Sequence, residues 1–297
     1  MRVGVLFPQT EIGADVAAIR AFAEAADGLG YRHLVTYEHV LGADPEVHKG
    51  WQGPYELRHG FHEPFVLFGW LAAFTGLELA TGILVAPQRQ TALIAKQAAE
   101  VDLLCGGRLR LGLGIGWNPV EYEAMGRPFS ETGPRMEEQV ELMRQLWTRP
   151  SVTFEGRFDT VHGAGILPAP VQRPIPIWLG ARVDVALQRV GTIADGWFPQ
   201  ALPGPGLDNA RAVVEQAARD AGRDPKAIGM EGQVQWATRD LDRLRRQAAH
   251  WEDAGATHLS VNTMDSGCTG VDDHIAALVA MAGALLDDRE TEADDHL

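Results

Sequence analysis

Eight short strand-like runs alternate with amphipathic helical segments along this chain, and that alternation constrains the fold more than any other feature. Neighbouring parallel strands need a crossover, and a right-handed helical crossover buries its apolar stripe on the sheet it returns to. Strands are expected at residues 3–7, 33–38, 79–86, 109–114, 175–179, 196–198, 229–236 and 257–262. Helices are expected at 15–29, 64–74, 92–104, 134–147, 184–194, 207–221, 240–254 and 271–286. In the first of these Val16, Ile19, Phe22, Ala23 and Ala26 recur at helical spacing, and Gly30 ends the run. Eight such units make a (βα)8 TIM barrel, whose catalytic groups stand at the carboxyl ends of the strands. An open doubly wound sheet is the competing arrangement. It wants a glycine-rich turn after the first strand, and Phe7-Pro8-Gln9-Thr10-Glu11 is not one.

With 297 residues the chain suits one such domain, expected over 1–286, with an acidic, solvated tail at 287–297. Two stretches exceed ordinary connections: 40–63 after the second strand and 117–174 after the fourth. The latter holds the helix at 134–147 and a hairpin-like piece at 152–158. Long segments on the catalytic face of a barrel shape or cover a pocket. A formal net charge of −14 argues against nucleic acid or an anionic membrane as partner. With no signal peptide and no apolar run of spanning length, a cytoplasmic protein acting on a small molecule is expected. Cys105 and Cys268 form no CxxC pattern, and Cys105, after Leu103-Leu104, reads as a small buried apolar residue.

His39 is the leading candidate for chemistry. It follows the second strand in Val35-Thr36-Tyr37-Glu38-His39, and an imidazole there can bond a cofactor ring or relay a proton near neutral pH. Glu38 points to the other side of the strand, where pairing with an arginine is enough to account for it. No metal is expected: the histidines between His33 and His62 have no HxH or HExxH spacing. Schiff-base chemistry is disfavoured, since Lys49, Lys96 and Lys226 all lie away from strand ends. Gly112-Leu113-Gly114-Ile115-Gly116 is a weak dinucleotide fingerprint; it suits either a flat ring against bare backbone or tight packing inside the barrel. Gly180-Ala181-Arg182-Val183-Asp184 opens a helix, where free N–H groups and Arg182 form a phosphate cradle and Asp184 is a candidate N-cap.

The order Glu38-His39, Thr81-Gly82-Ile83-Leu84-Val85, the run from Ala95 to Trp117, Pro168-Ala169-Pro170, Ile177-Trp178-Leu179-Gly180 and Asp195-Gly196-Trp197 resembles the luciferase-like flavin/deazaflavin oxidoreductases. The likeness is nearest to the branch that depends on coenzyme F420. What the resemblance implies is a barrel holding a deazaflavin over its strand ends, with a cis peptide at Gly82-Ile83 behind the ring. His39 corresponds to the family's histidine after the second strand, and Gly180, Ala181, Arg182 and Val183 to its phosphate-binding turn. Gly114, Gly116 and Trp117 would border the ring, and the barrels would pair as homodimers. The chain departs from the family's sugar-phosphate dehydrogenases, because Trp117 stands where they carry a catalytic glutamate and Glu121 comes only later. That points to an apolar, aromatic or aliphatic substrate on which the indole could stack. The expectation is hydride transfer between F420 and a small organic substrate. FMN-dependent monooxygenation, and a deazaflavin-binding protein with little turnover, are the alternatives.

Overall fold

The computed structural model describes residues 1–286, so the expected tail at 287–297 lies outside the described residues. β1 (Arg2–Leu6) leads to α1 (Gln9–Ile12) and α2 (Val16–Gly28), and β2 (His33–Thr36) reaches α3 (Pro64–Leu71) through the long 37–63 segment. The third strand comes in two pieces, β3 (Glu78–Thr81) and β4 (Leu84–Val85), before α4 (Thr91–Leu104). β5 (Leu109–Gly114) is followed by α5 (Pro119–Ala124), α6 (Thr132–Thr148) and an antiparallel hairpin, β6 (Val152–Glu155) with β7 (Thr160–Ala164). Four further units complete the chain: β8 (Ile177–Ala181) with α7 (Asp184–Ile193), β9 (Gly196–Pro199) with α8 (Pro205–Asp220), β10 (Gly229–Gln235) with α9 (Leu241–Asp253), and β11 (His258–Asn262) with α10 (Val271–Leu285).

Strands pair in the order β3-β2-β1-β11-β10-β9-β8-β5-β4, and β3 also pairs with β5, which closes the ring. With β3 and β4 as halves of one strand, this is a closed eight-stranded parallel barrel surrounded by helices. The helices start where capping chemistry lets them. Asp15 accepts from the Ala17 and Ala18 N–H groups at the head of α2, and Asp240 accepts from Arg243 N–H at the head of α9. The face of α2 that carries Ile19, Phe22, Ala23 and Ala26 is buried against the barrel, so the main core lies between the strands and the helical ring. Cys105 is part of that core.

Four local expectations need correction. The third strand is not continuous over 79–86: its ladder breaks at Gly82-Ile83, where the peptide is cis. Two short helices, α1 and α5, escaped notice because one or two turns leave little periodicity to read. The second arm of the hairpin begins at Thr160, beyond the expected 152–158. Asp184 is the first residue of α7 and not its cap; Val183 holds the cap position and offers no side-chain acceptor.

The break in the third strand explains the glycines of β5. A Cβ on Gly112 would lie 1.9 Å from the Thr81 carbonyl oxygen, and one on Gly114 would lie 2.6 Å from Ile83 Cδ1. A Cβ on Gly180 would also meet Ile83, at 3.3 Å. Thr81 Oγ1 donates to the Gly112 carbonyl at 2.7 Å, which pins the break to its neighbour. The missing side chains therefore make room for the protein's own inward step.

Below the rim the barrel interior is polar and tied. Arg110 donates to Glu78 at 2.6 Å and to Glu231 at 2.5 Å, while His33 Nε2 meets Glu231 at 2.8 Å. The Arg110 guanidinium also lies 4.3 Å over the Trp178 ring. Burial pushes the Glu231 carboxyl up, but Arg110, His33 and Ser260 outweigh it and hold it well below the usual carboxylate range. These residues plug the base of the barrel and leave its carboxyl-end mouth for a ligand.

Candidate active site

The expected site residues gather at the carboxyl ends of four successive barrel strands. His39 follows β2, Gly82 and Ile83 separate β3 from β4, Gly114, Gly116 and Trp117 end and follow β5, and Gly180 to Val183 end and follow β8. In a closed parallel barrel these ends share one rim. Inside it lies a cavity of about 70 Å³ lined by Leu6, Val35, Tyr37, Gly82, Phe198 and Gln233, among others.

Alternation along the end of β2 decides which side chains enter. Val35 and Tyr37 line the cavity, and His39 comes two residues later, past the end of β2. Thr36 and Glu38 face outward. Glu38 is buried behind the barrel, where it pairs with Arg89 and accepts from Val85 N–H at 2.5 Å. Burial raises the Glu38 carboxyl above its ordinary value, against the pull of Arg89. Arg89 also meets Glu63 at 3.1 Å. The cluster joins the end of β2, β4 and the start of α3, so it is structural, as the outward position of Glu38 predicts.

His39 sits in an aromatic box. Phe61, Trp117 and Tyr55 stand with ring centroids 4.7, 5.1 and 5.4 Å from the imidazole, and Trp51 packs on Trp117 at 5.6 Å. Three of these rings come from the long segment after β2, which thus covers the mouth over His39. Trp51 is fixed by its indole N–H donating to the Tyr55 carbonyl at 3.0 Å. Tyr37 enters beside the box. Burial pushes its phenol up to about 12, so it stays protonated at neutral pH, and its oxygen accepts from Gln233 Nε2 at 3.1 Å.

Two groups in this mouth escaped the sequence reading. One is Tyr37, legible through the period-two alternation that also places His39. The other is Glu121, whose buried carboxylate meets His39 Nδ1 at 3.1 Å. Its second oxygen accepts from the Val40 and Leu41 N–H groups at 2.5 and 3.1 Å. The signal was present in Asn118-Pro119-Val120-Glu121: an N-cap, proline at the first helical position and an acid in the first turn. Asn118 accepts from Val120 and Glu121 N–H, which builds α5 and aims Glu121 at the loop after β2.

On the other side of the rim, Arg182 and Val183 are exposed, and Arg182 enters no ion pair among the described residues. With Val183 contributing no side-chain acceptor, the first-turn amides of α7 have no side-chain partner. This donor set, one free guanidinium beside uncapped helix N–H groups, fits a phosphate. No group of three or more His, Cys, Asp or Glu able to hold a metal occurs among the described residues.

A match to the luciferase-like monooxygenase family spans residues 1–267. The chain belongs to that family. An uncharacterized protein of Mycobacterium tuberculosis is 34% identical over 223 residues, covering 73% of this chain and 77% of the relative. An F420-dependent glucose-6-phosphate dehydrogenase of Gordonia bronchialis is 33% identical over 183 residues, covering 58% of this chain and 54% of the relative. Among solved structures, an F420-dependent secondary alcohol dehydrogenase in complex with an F420-acetone adduct aligns over 94% of this chain and 98% of that one, with TM-score 0.76 and 17% identity. A monooxygenase from Streptomyces bottropensis aligns over 97% and 99%, with TM-score 0.75 and 21% identity. These structural likenesses establish the luciferase-like barrel fold.

Proposed function

We propose that this luciferase-like protein is an oxidoreductase that moves a hydride between coenzyme F420 and a small, apolar organic substrate. The reading is supported by their place in the fold: the turn after β8, the Gly82-Ile83 step and the imidazole after β2 all follow the carboxyl ends of strands in one closed barrel. A bound deazaflavin would supply the carbon that gives or takes the hydride. Gly180, Ala181, Arg182 and Val183 would hold its phosphate, and Gly82, Ile83, Gly114 and Gly116 would back its ring. Trp117, with Phe61 and Tyr55, would exclude water and press on the substrate, while His39 holds or moves the accompanying proton.

The aromatic box supports an uncharged, flat or conjugated substrate over a sugar phosphate. Arg89 is committed to Glu38 and Glu63, and the exposed Arg58 pairs with Glu56, so neither is free to take a second phosphate beside His39. The buried Glu121 carboxylate beside the His39 imidazole supports turnover over a protein that only binds the cofactor. FMN-dependent monooxygenation is the second reading, favoured by a Baeyer-Villiger monooxygenase solved with FMN that aligns at TM-score 0.72.

Absorbance and fluorescence titrations with each cofactor separate them. The proposal expects saturable F420 binding at least about tenfold tighter than FMN, then oxidation of the reduced cofactor by enones, quinones or imines. Tighter binding of FMN would transfer the protein to the second reading. The working unit is proposed to be a homodimer, supported by exposed Val66 on α3 and Leu93 and Leu104 on α4. Light scattering should give twice 32.3 kDa, and the mass of one chain would contradict it.

A further inference from the structure

We propose that Glu121 is a positioning residue that fixes the tautomer of His39, keeping the proton on Nδ1 so that the neutral imidazole presents a bare Nε2 to the substrate. The inference rests on the reading above only in taking that nitrogen to face substrate. Its basis is a counting of donors. Glu121 Oε1 already accepts from two backbone N–H groups, Val40 and Leu41, which can do nothing but donate. Oε2 faces His39 Nδ1 at 3.1 Å. An ionised carboxylate can only accept, so Nδ1 must carry the hydrogen, as in other carboxylate–imidazole pairs. The ring cannot turn away easily, because Tyr55, Phe61 and Trp117 hold it edge-on or tilted. No hydrogen bond to Nε2 exists among the described residues.

The chemical consequence is directional. Neutral His39 could accept a proton from a substrate O–H or N–H, and if a bound F420 took hydride from the adjacent carbon the two losses would balance as formation of C=O or C=N. In reduction, the same nitrogen can donate only as imidazolium, whose charge the Glu121 carboxylate offsets.

Glu121→Gln tests this without changing shape. The two fixed backbone donors require the amide oxygen at the Oε1 position, which turns the NH2 toward Nδ1. Nδ1 must then accept, and the proton moves to Nε2. Nitrogen-15 spectra of histidine-labelled protein without cofactor, with the His39 signal assigned from His39→Ala, should read Nδ1–H in the wild type and Nε2–H in the variant. With F420 and substrate, kcat should fall about a hundredfold or more, as for a histidine held in the wrong tautomer, with cofactor affinity unchanged. A wild type protonated at Nε2, or the same tautomer in both proteins, overturns the proposal. If the variant fails to fold, the wild-type spectrum alone decides. Because the spectra need no cofactor, they stand or fall separately from the F420 assignment.

Discussion

At the residue scale the site depends on where two side chains stand relative to the strand ends. His39→Ala should lower turnover about a hundredfold, the usual cost of losing an acid–base group, with cofactor binding little changed. Unaltered steady-state rates would remove His39 from the chemistry. The place of His39 just past the end of β2 was legible in the sequence, because an apolar run marks its strand. The neighbourhood of Glu121 was not. Its role comes from a contact with a loop about eighty residues earlier, and no periodicity encodes such a separation. Trp117 was read as a substrate platform; the structure adds that it belongs to a box with Trp51, Tyr55 and Phe61, whose assembly follows from the path of the long segment and from no local pattern.

At the element scale the third strand and its neighbours carry the argument. The alternation of strands and helices was readable almost throughout, since each helix buries one stripe and each strand is short and apolar. The interrupted strand was less so: Leu79 to Ala86 is apolar enough to continue, and the space for its inward step is left by Gly112 and Gly114 on the adjoining β5 and by Gly180 on β8 beyond it. Gly112→Ala should therefore be severe. Its Cβ would overlap a backbone oxygen that is held in the ladder, and a loss of about 3 kcal/mol or more is expected in urea unfolding. A change below about 1 kcal/mol would mean the step has room to relax. Arg89→Ala tests the outer side of the same strands. It leaves the buried Glu38 carboxyl without its cation and should destabilise by about 3 kcal/mol. Full recovery in Arg89→Met would show that the site wants bulk and not charge.

For the whole molecule, stability should depend on pH in a defined window. Burial pushes His258 down to about 3 and His274 down to about 4. His274 Nε2 stands 3.1 Å from Glu11 without a hydrogen bond between them, and burial outweighs the opposing charge of Asp273. Both imidazoles remain neutral in the folded chain at a pH where the unfolded chain protonates them, near 6.5. The unfolded state then binds more protons, so stability falls as the pH drops from about 6.5 toward 4, by up to about 1.4 kcal/mol per pH unit for each imidazole. Above that window their effect is level. Glu231 acts elsewhere: with a folded value held down, its contribution is complete above the ordinary carboxylate range and is lost only in stronger acid. Denaturant midpoints at pH 7 and 5 should differ in the wild type and differ by less in His274→Gln, where only the His258 contribution remains; equal wild-type midpoints would contradict the assignment. The helices were the easy part of this molecule and the mouth was the hard part, because burial and charge at the mouth depend on which distant loops meet there.

The most direct measurement is a crystal structure of the protein with coenzyme F420. The phosphate is expected against Arg182 and the first amides of α7, with the tricyclic ring between the Gly82-Ile83 step and the imidazole of His39. A phosphate bound away from that turn, or a ring on the far side of the barrel from His39, would contradict it.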